Sequence, residues 1–294
     1  MDTYTKERYK RWVKQKIRRR VGFMLIILLL LVNMILMVVV IFNWQSCNCP
    51  NTSDYLTGNN TGEYAEESGG YIEERLRAVE KINVIPGRYA FLTFDDGPSP
   101  YTQSILDVLN TRNISAIFFV VGAHINHRSD SGELLNRMIE EGHYIGLHTM
   151  THDSATLYDG EDAPERFVDE MFELNELIFE MTGFSTNLCR AAYGMAGNFT
   201  PQHHTAVDES DLYCVDWNID SRDWPSYTTP YMVYQNVTSQ IERLDFPDEL
   251  VILFHEYSWT VEALPVIINY LRYHGYTIVG YTPGDVFTYY RNRD

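Results

Sequence analysis

The segments that most narrow the fold are nearly continuous apolar runs: RYAFLTF at 88–94, SAIFFVVG at 115–122 and a run over 249–254 that ends in LVILF. A strand with one wet face alternates apolar and polar residues, whereas a run like these must be covered on both faces. Between the runs, apolar residues recur at helical spacing: Ile105, Leu106 and Leu109 after a Ser99-Pro100 helix start; Leu134, Leu135, Met138 and Ile139; then Phe167, Met171, Leu174, Leu177 and Ile178 within a helix over 162–182. Further strands are expected at 144–147, 187–191, 212–219 and 276–281, with helices near 229–243 and 260–274. Doubly covered strands alternating with helices predict a parallel sheet sheathed by helices, either an open doubly wound sheet or a β/α barrel. In both, chemistry collects where strands end and loops begin, so the polar residues at strand C-termini decide function.

The first 82 residues belong to something else. Residues 1–20 carry nine basic residues against two acidic ones, while the rest of the chain carries 14 basic against 38 acidic. Directly after the basic block, residues 21–42 are apolar except for Asn33. As a helix these positions reach about 33 Å, enough to cross a hydrocarbon core of about 30 Å. The run ends in Asn43, Trp44 and Gln45 rather than small residues, so it reads as an uncleaved anchor and not a signal peptide. The basic block places residues 1–20 in the cytoplasm and the rest outside, at the plasma membrane. Residues 43–82 read as an extracellular linker, rich in Asn, Thr, Ser, Gly and Glu up to residue 70, with a short helix over 71–85 leading into a catalytic domain at 83–294.

The acidic outer domain excludes nucleic acid as a partner, because phosphate binding needs clustered Lys and Arg. Nothing in the sequence implies an obligate protein partner. Four cysteines, Cys47, Cys49, Cys189 and Cys214, form no C-x-x-C pair, which argues against a thiolate zinc site. Cys189 and Cys214 both fall in expected strands, as a disulfide or as two buried thiols.

Five strand ends carry reactive groups. Asp95 and Asp96 follow the first apolar run in TFDDGP. Adjacent carboxylates in a dry site repel, and a cation resolves the conflict by binding one and leaving the other as a base; the plainer reading is two solvated turn aspartates. His148 and His152 in HTMTH can reach one metal from a tight turn, and His₂–carboxylate ligation is how hydrolytic zinc sites are built. Arg190 in RAAYG can pair with and orient the free Asp, or sit on the surface. The stretch 216–224 leaves acids and Trp at a strand end. His255 ends the run LVILFH, and an acid beside it would hold its tautomer and raise its pKa, making a general acid.

Taken in order, TFDDGP, HTMTH, RAAYG, DSRDW and LFH resemble the five motifs of the polysaccharide deacetylases (carbohydrate esterase family 4, the NodB-homology domain), over roughly residues 83–285. Single motifs of this length are weak; five in one order are specific. The resemblance implies a distorted (β/α)₇ barrel, here preceded by one transmembrane helix. It implies a divalent metal on Asp96, His148 and His152, zinc first, with Co²⁺, Ni²⁺ or Mn²⁺ as substitutes. Asp95 would be the general base oriented by Arg190, and His255 the general acid tuned by Asp223 or Asp220, with Asp223 preferred. Leu253 and Trp224 would line the acetyl pocket, and the Tyr193 N–H would assist at the oxyanion. The third motif usually carries Pro before its Tyr; Ala192 stands there, so a looser Tyr193 loop is expected. The implied activity is removal of N-acetyl groups from an extracellular glycan, with peptidoglycan N-acetylglucosamine or N-acetylmuramic acid first. The alternatives are an exopolysaccharide, chitin-like or acetyl-xylan substrate, or a silent glycan-binding module.

Overall fold

The protein is described from a computed structural model over residues 87–285 and 287. The apolar run 21–42, the linker and the short helix expected over 71–85 lie outside these residues. Among the described residues no helix is long and apolar enough to cross a membrane.

The chain alternates strand and helix, and every strand pairing is parallel. The order is β1 (Tyr89–Gly97), α1 (Thr102–Asn110), β2 (Ile117–Val120), α2 (Gly122–His127), α3 (Ser131–Glu140), β3 (Tyr144–Leu147), α4 (Ser154–Tyr158), α5 (Ala163–Thr182) and β4 (Leu188–Cys189). Then follow α6 (Pro201–Glu209), β5 (Tyr213–Cys214), β6 (Ile219–Asp220), α7 (Pro230–Arg243), β7 (Glu249–His255), α8 (Ser258–Tyr273) and β8 (Thr277–Ile278). In space the strands run β5-β4-β3-β2-β1-β7-β6, with β8 against the first residues of β1. No pairing joins β5 to β6 among the described residues, so the sheet is a curled, open barrel wall.

Both faces are buried, as the uninterrupted runs require. On β1, Ala90, Leu92 and Phe94 share an outer core with Leu106 and Leu109 of α1, Leu174 of α5 and Ile268 of α8. The alternate residue Phe91 joins Ile117, Phe119, Leu188, Val215 and Val251 in a smaller core inside the curl. Period-2 alternation puts Thr93 and Asp95 above Phe91, and Leu253 and His255 above Val251. The inner face is therefore apolar at its floor and reactive at its rim.

Three expected strands shrink to two-residue bridges: 187–191 becomes β4, 212–219 splits into β5 and β6, and 276–281 becomes β8. Past those bridges the backbone turns away to present motif residues, which ends the ladder. The helices α2, α4 and α6 were not expected. A signal for α6 was available, since Thr200 caps it and Pro201 opens it. The helix α1 starts at Thr102, later than Ser99-Pro100 suggests, because Ser99 forms a turn whose N–H reaches Thr102 Oγ1 and the Glu256 carboxylate. Cys189 and Cys214 face each other in register on β4 and β5 as free thiols.

Candidate active site

Ends of strands and the loops after them converge at the rim. Asp95 and Asp96 end β1, and Asp96 takes a positive φ of 65°, which sends consecutive carboxylates in different directions. Thr149, His152, Tyr193 and Arg222 also have positive φ, so all four long motif loops hold a residue in this uncommon region.

Asp96 Oδ1 lies 3.4 Å from His148 Nε2 and 3.2 Å from His152 Nε2. His148 Nδ1 sits 2.9 Å from the Arg190 carbonyl. A carbonyl only accepts, so Nδ1 carries the hydrogen and Nε2 turns its lone pair toward Asp96. Asp96 Oδ1 is buried and has no hydrogen-bond partner. Acceptors thus converge on one point, with one ligand atom from each residue and all within 4.8 Å. That donor set, two imidazoles and a carboxylate, fits a small divalent cation. A proton is the only other relief: burial opposes charge on His148, but Asp95 and Asp96 raise its pKa. Burial pushes the Asp96 carboxyl up, and the two histidines more than reverse this, holding it well below the usual range.

Arg190 is fully buried. Its Nη1 donates to Asp95 Oδ1 at 2.8 Å and to Thr93 Oγ1 at 2.7 Å; Nε and Nη2 reach the carbonyls of Val215 and Asp216. The guanidinium lies 4.2 Å over the Phe119 ring. A charge this dry persists only when paired and saturated with acceptors, and here every arm of the fork has one, with Nη1 on Asp95.

Across the cluster, His255 Nε2 lies 3.9 Å from Asp96 Oδ2. Asp223, fully buried, accepts from His255 Nδ1 at 2.7 Å and from the His255 N–H at 2.8 Å. Thr260 Oγ1 also donates to Asp223, and Trp259 Nε1 donates to its carbonyl. Burial disfavours the imidazolium, yet Asp223 first, then Asp96 and Asp95, raise the His255 pKa to about 9. Of the two acids in the fourth motif, Asp223 touches His255. Asp220, the other candidate, accepts from the Arg222 N–H at 2.8 Å and acts on His255 through charge rather than contact.

Tyr193 is exposed, and its hydroxyl donates to the His152 carbonyl. Its N–H has no protein partner among the described residues. Two hydrogen bonds flank the tyrosine. The Tyr158 hydroxyl anchors the Ala192 carbonyl at 2.6 Å, and Asn198 Nδ2 holds the Gly194 carbonyl at 2.8 Å. Leu253 is buried on the inner face below His255, and Trp224 is exposed beside Asp223. A cavity of about 290 Å³ opens at the rim between Asp96, Pro98, His124, His255 and Tyr257.

The sequence reading missed the residues behind these groups: Thr93, Thr260, Trp259 and Glu170. Glu170 carried a signal, since it lies on the apolar stripe of Phe167, Met171 and Leu174 and an acid there must have partners.

Residues 83–208 match the family described as polysaccharide deacetylase. The chain is 34% identical over 190 residues to the Bacillus subtilis protein YheN, spanning 64% of each chain. It is 33% identical over 215 residues to a peptidoglycan-N-acetylglucosamine deacetylase of Bacillus cereus, spanning 71% of this chain and 75% of that one. The fold is similar to the crystal structure of the Bacillus cereus polysaccharide deacetylase Bc1974, with a TM-score of 0.61 and 32% identity over 68% of this chain and 95% of that one.

Proposed function

This chain belongs to the polysaccharide deacetylase family, and on that premise we propose that it hydrolyses N-acetyl groups on a glycan outside the cell, releasing acetate. Peptidoglycan N-acetylglucosamine or N-acetylmuramic acid is the first substrate. The observation that carries this is the placing of two proton-handling groups on either side of one ligand cluster: Asp95 on Arg190, and His255 on Asp223. The basic block and apolar run of residues 1–42 support a single-pass anchor at the plasma membrane, which keeps the domain beside the wall polymer. The Bacillus cereus relative, a peptidoglycan-N-acetylglucosamine deacetylase, supports the same polymer.

Asp96, His148 and His152 would hold a divalent cation, Zn²⁺ first, which when bound supplies Lewis acidity at the acetamide carbonyl. Asp95, aimed by Arg190, accepts a proton from the attacking water. The Tyr193 N–H donates to the carbonyl oxygen as its negative charge grows. His255, with Asp223 behind Nδ1, delivers the Nε2 proton to the departing nitrogen. An amine leaves an amide only with that proton, so a dedicated acid fits amide better than ester cleavage. Leu253 and Trp224 would contact the acetyl group.

The test is acetate release by the full chain from N-acetylated peptidoglycan and from chitin oligomers, before and after a chelator and with Zn²⁺ restored. Chelator-sensitive acetate from peptidoglycan is expected. Acetate from chitin oligomers alone would replace the substrate, no acetate with one bound metal would point to a narrower substrate, and no acetate with no bound metal would leave a glycan-binding role.

A further inference from the structure

Between the two ligand histidines the chain makes a turn that cannot hold itself. Thr149 and His152 both have positive φ, 69° and 56°, and among the described residues the turn 149–152 is closed internally by one hydrogen bond, from the His152 N–H to Thr149 Oγ1. Two outside elements clamp it. From one side, the first N–H groups of α2 donate to its carbonyls, Gly122 to Thr149 at 3.1 Å and Ala123 to Met150 at 2.7 Å. From the other, Glu170 of α5 takes its N–H groups: Oε2 accepts from Met150 and Thr151, both at 3.0 Å, and Oε1 accepts from the Thr151 hydroxyl at 2.7 Å.

Glu170 is almost fully buried on the apolar side of a 20-residue helix. Such a carboxylate is costly unless its oxygens are filled, and the turn fills both. It touches neither Asp96 nor the imidazole rings. Its three hydrogen bonds all fall on Met150 and Thr151, two of the three residues between His148 and His152.

We propose that Glu170 is the positioning residue of the cation site, fixing the bite of His148 and His152 by holding Met150 and Thr151, and thereby setting how tightly a divalent cation is kept. This rests on the reading that Asp96, His148 and His152 bind a metal. Removing partners that orient metal ligands typically costs about 10–100-fold in affinity.

The experiment compares Zn²⁺ dissociation constants, by competition with a chromophoric chelator, for the full chain and for Glu170→Ala, Glu170→Gln and Glu170→Asp, with melting of the chelator-treated forms measured alongside. Glutamine keeps an acceptor at the same reach and loses the charge; aspartate keeps the charge and withdraws it from the turn. A positioning role predicts that Glu170→Ala and Glu170→Asp weaken Zn²⁺ binding about 10–100-fold, that Glu170→Gln stays near wild type, and that excess Zn²⁺ restores acetate release. The reverse order, aspartate tight and glutamine weak, would mean that the carboxylate acts through charge and would overturn the proposal. So would Zn²⁺ held by Glu170→Asp as firmly as by wild type. Should Glu170→Ala fail to fold, the glutamine–aspartate pair decides alone. Wild type that binds no Zn²⁺ would instead defeat the underlying metal reading.

Discussion

Two histidines face each other across the rim, and they differ mainly in what stands behind them. His148 rests its Nδ1 on a neutral carbonyl, that of Arg190, and offers Nε2 to the ligand cluster. His255 rests its Nδ1 on a carboxylate, that of Asp223, which raises its pKa to about 9. A neutral acceptor fixes a tautomer and leaves a lone pair; an ionised one stabilises the second proton. On the proposed mechanism, the group behind Nδ1 is what separates a ligand from an acid.

The largest expected effect comes from removing Asp95, the proposed base. Asp95→Asn should lower kcat for acetate release by about 10²–10⁴-fold with metal content unchanged, since Asp95 is outside the ligand set; metal loss in parallel would merge base and ligand roles. Next, Asp223→Asn takes the charge from behind His255 and makes it resemble His148. The acid is competent below its pKa and lost above it. Without Asp223 that pKa falls, so the alkaline limb of kcat/KM should move to lower pH with kcat reduced about 10²-fold. A limb that stays in place would show that Asp223 does not set the acid.

A smaller effect is expected one step further back. Thr260→Val deletes a donor to Asp223 Oδ2 and should cost about 1.5–3 kcal/mol of unfolding free energy, measured by urea denaturation. Smallest is Glu256→Gln, beside His255 but bound to Ser99 and Thr102 instead. Burial raises Glu256 from 4.5 to about 6. The folded state therefore keeps a proton that the unfolded chain releases between those values, and this residue's contribution to stability falls as pH rises through that window. Relative to the glutamine variant, wild type should lose about 2 kcal/mol at most across it; parallel pH dependence of the two would remove Glu256 from the account.

Much of this was legible in the residues. Continuous apolar strands announced the two-sided core, and the carboxylates and histidines at strand ends announced the rim, because burial and reactivity leave marks on residue type. Asp220 and Asp223 lie only three residues apart, too close for residue type to separate them, and the fold brings Asp223 to 2.7 Å from His255 Nδ1. Thr93 and Thr260 escaped because a Thr on a core element carries no period and only the fold shows that each bonds a site residue, and Glu170, though marked by its place on an apolar stripe, gave no sign of the turn it holds. The short helices α2 and α4 escaped for want of length, having too few residues to display a helical stripe.

The measurement that bears most directly on the division between the two histidines is metal content and acetate release taken together on His148→Ala and His255→Ala. The account predicts that His148→Ala loses Zn²⁺ and activity in step, while His255→Ala keeps one Zn²⁺ per chain and loses activity. Loss of metal from His255→Ala, or full metal retention by His148→Ala, would contradict it.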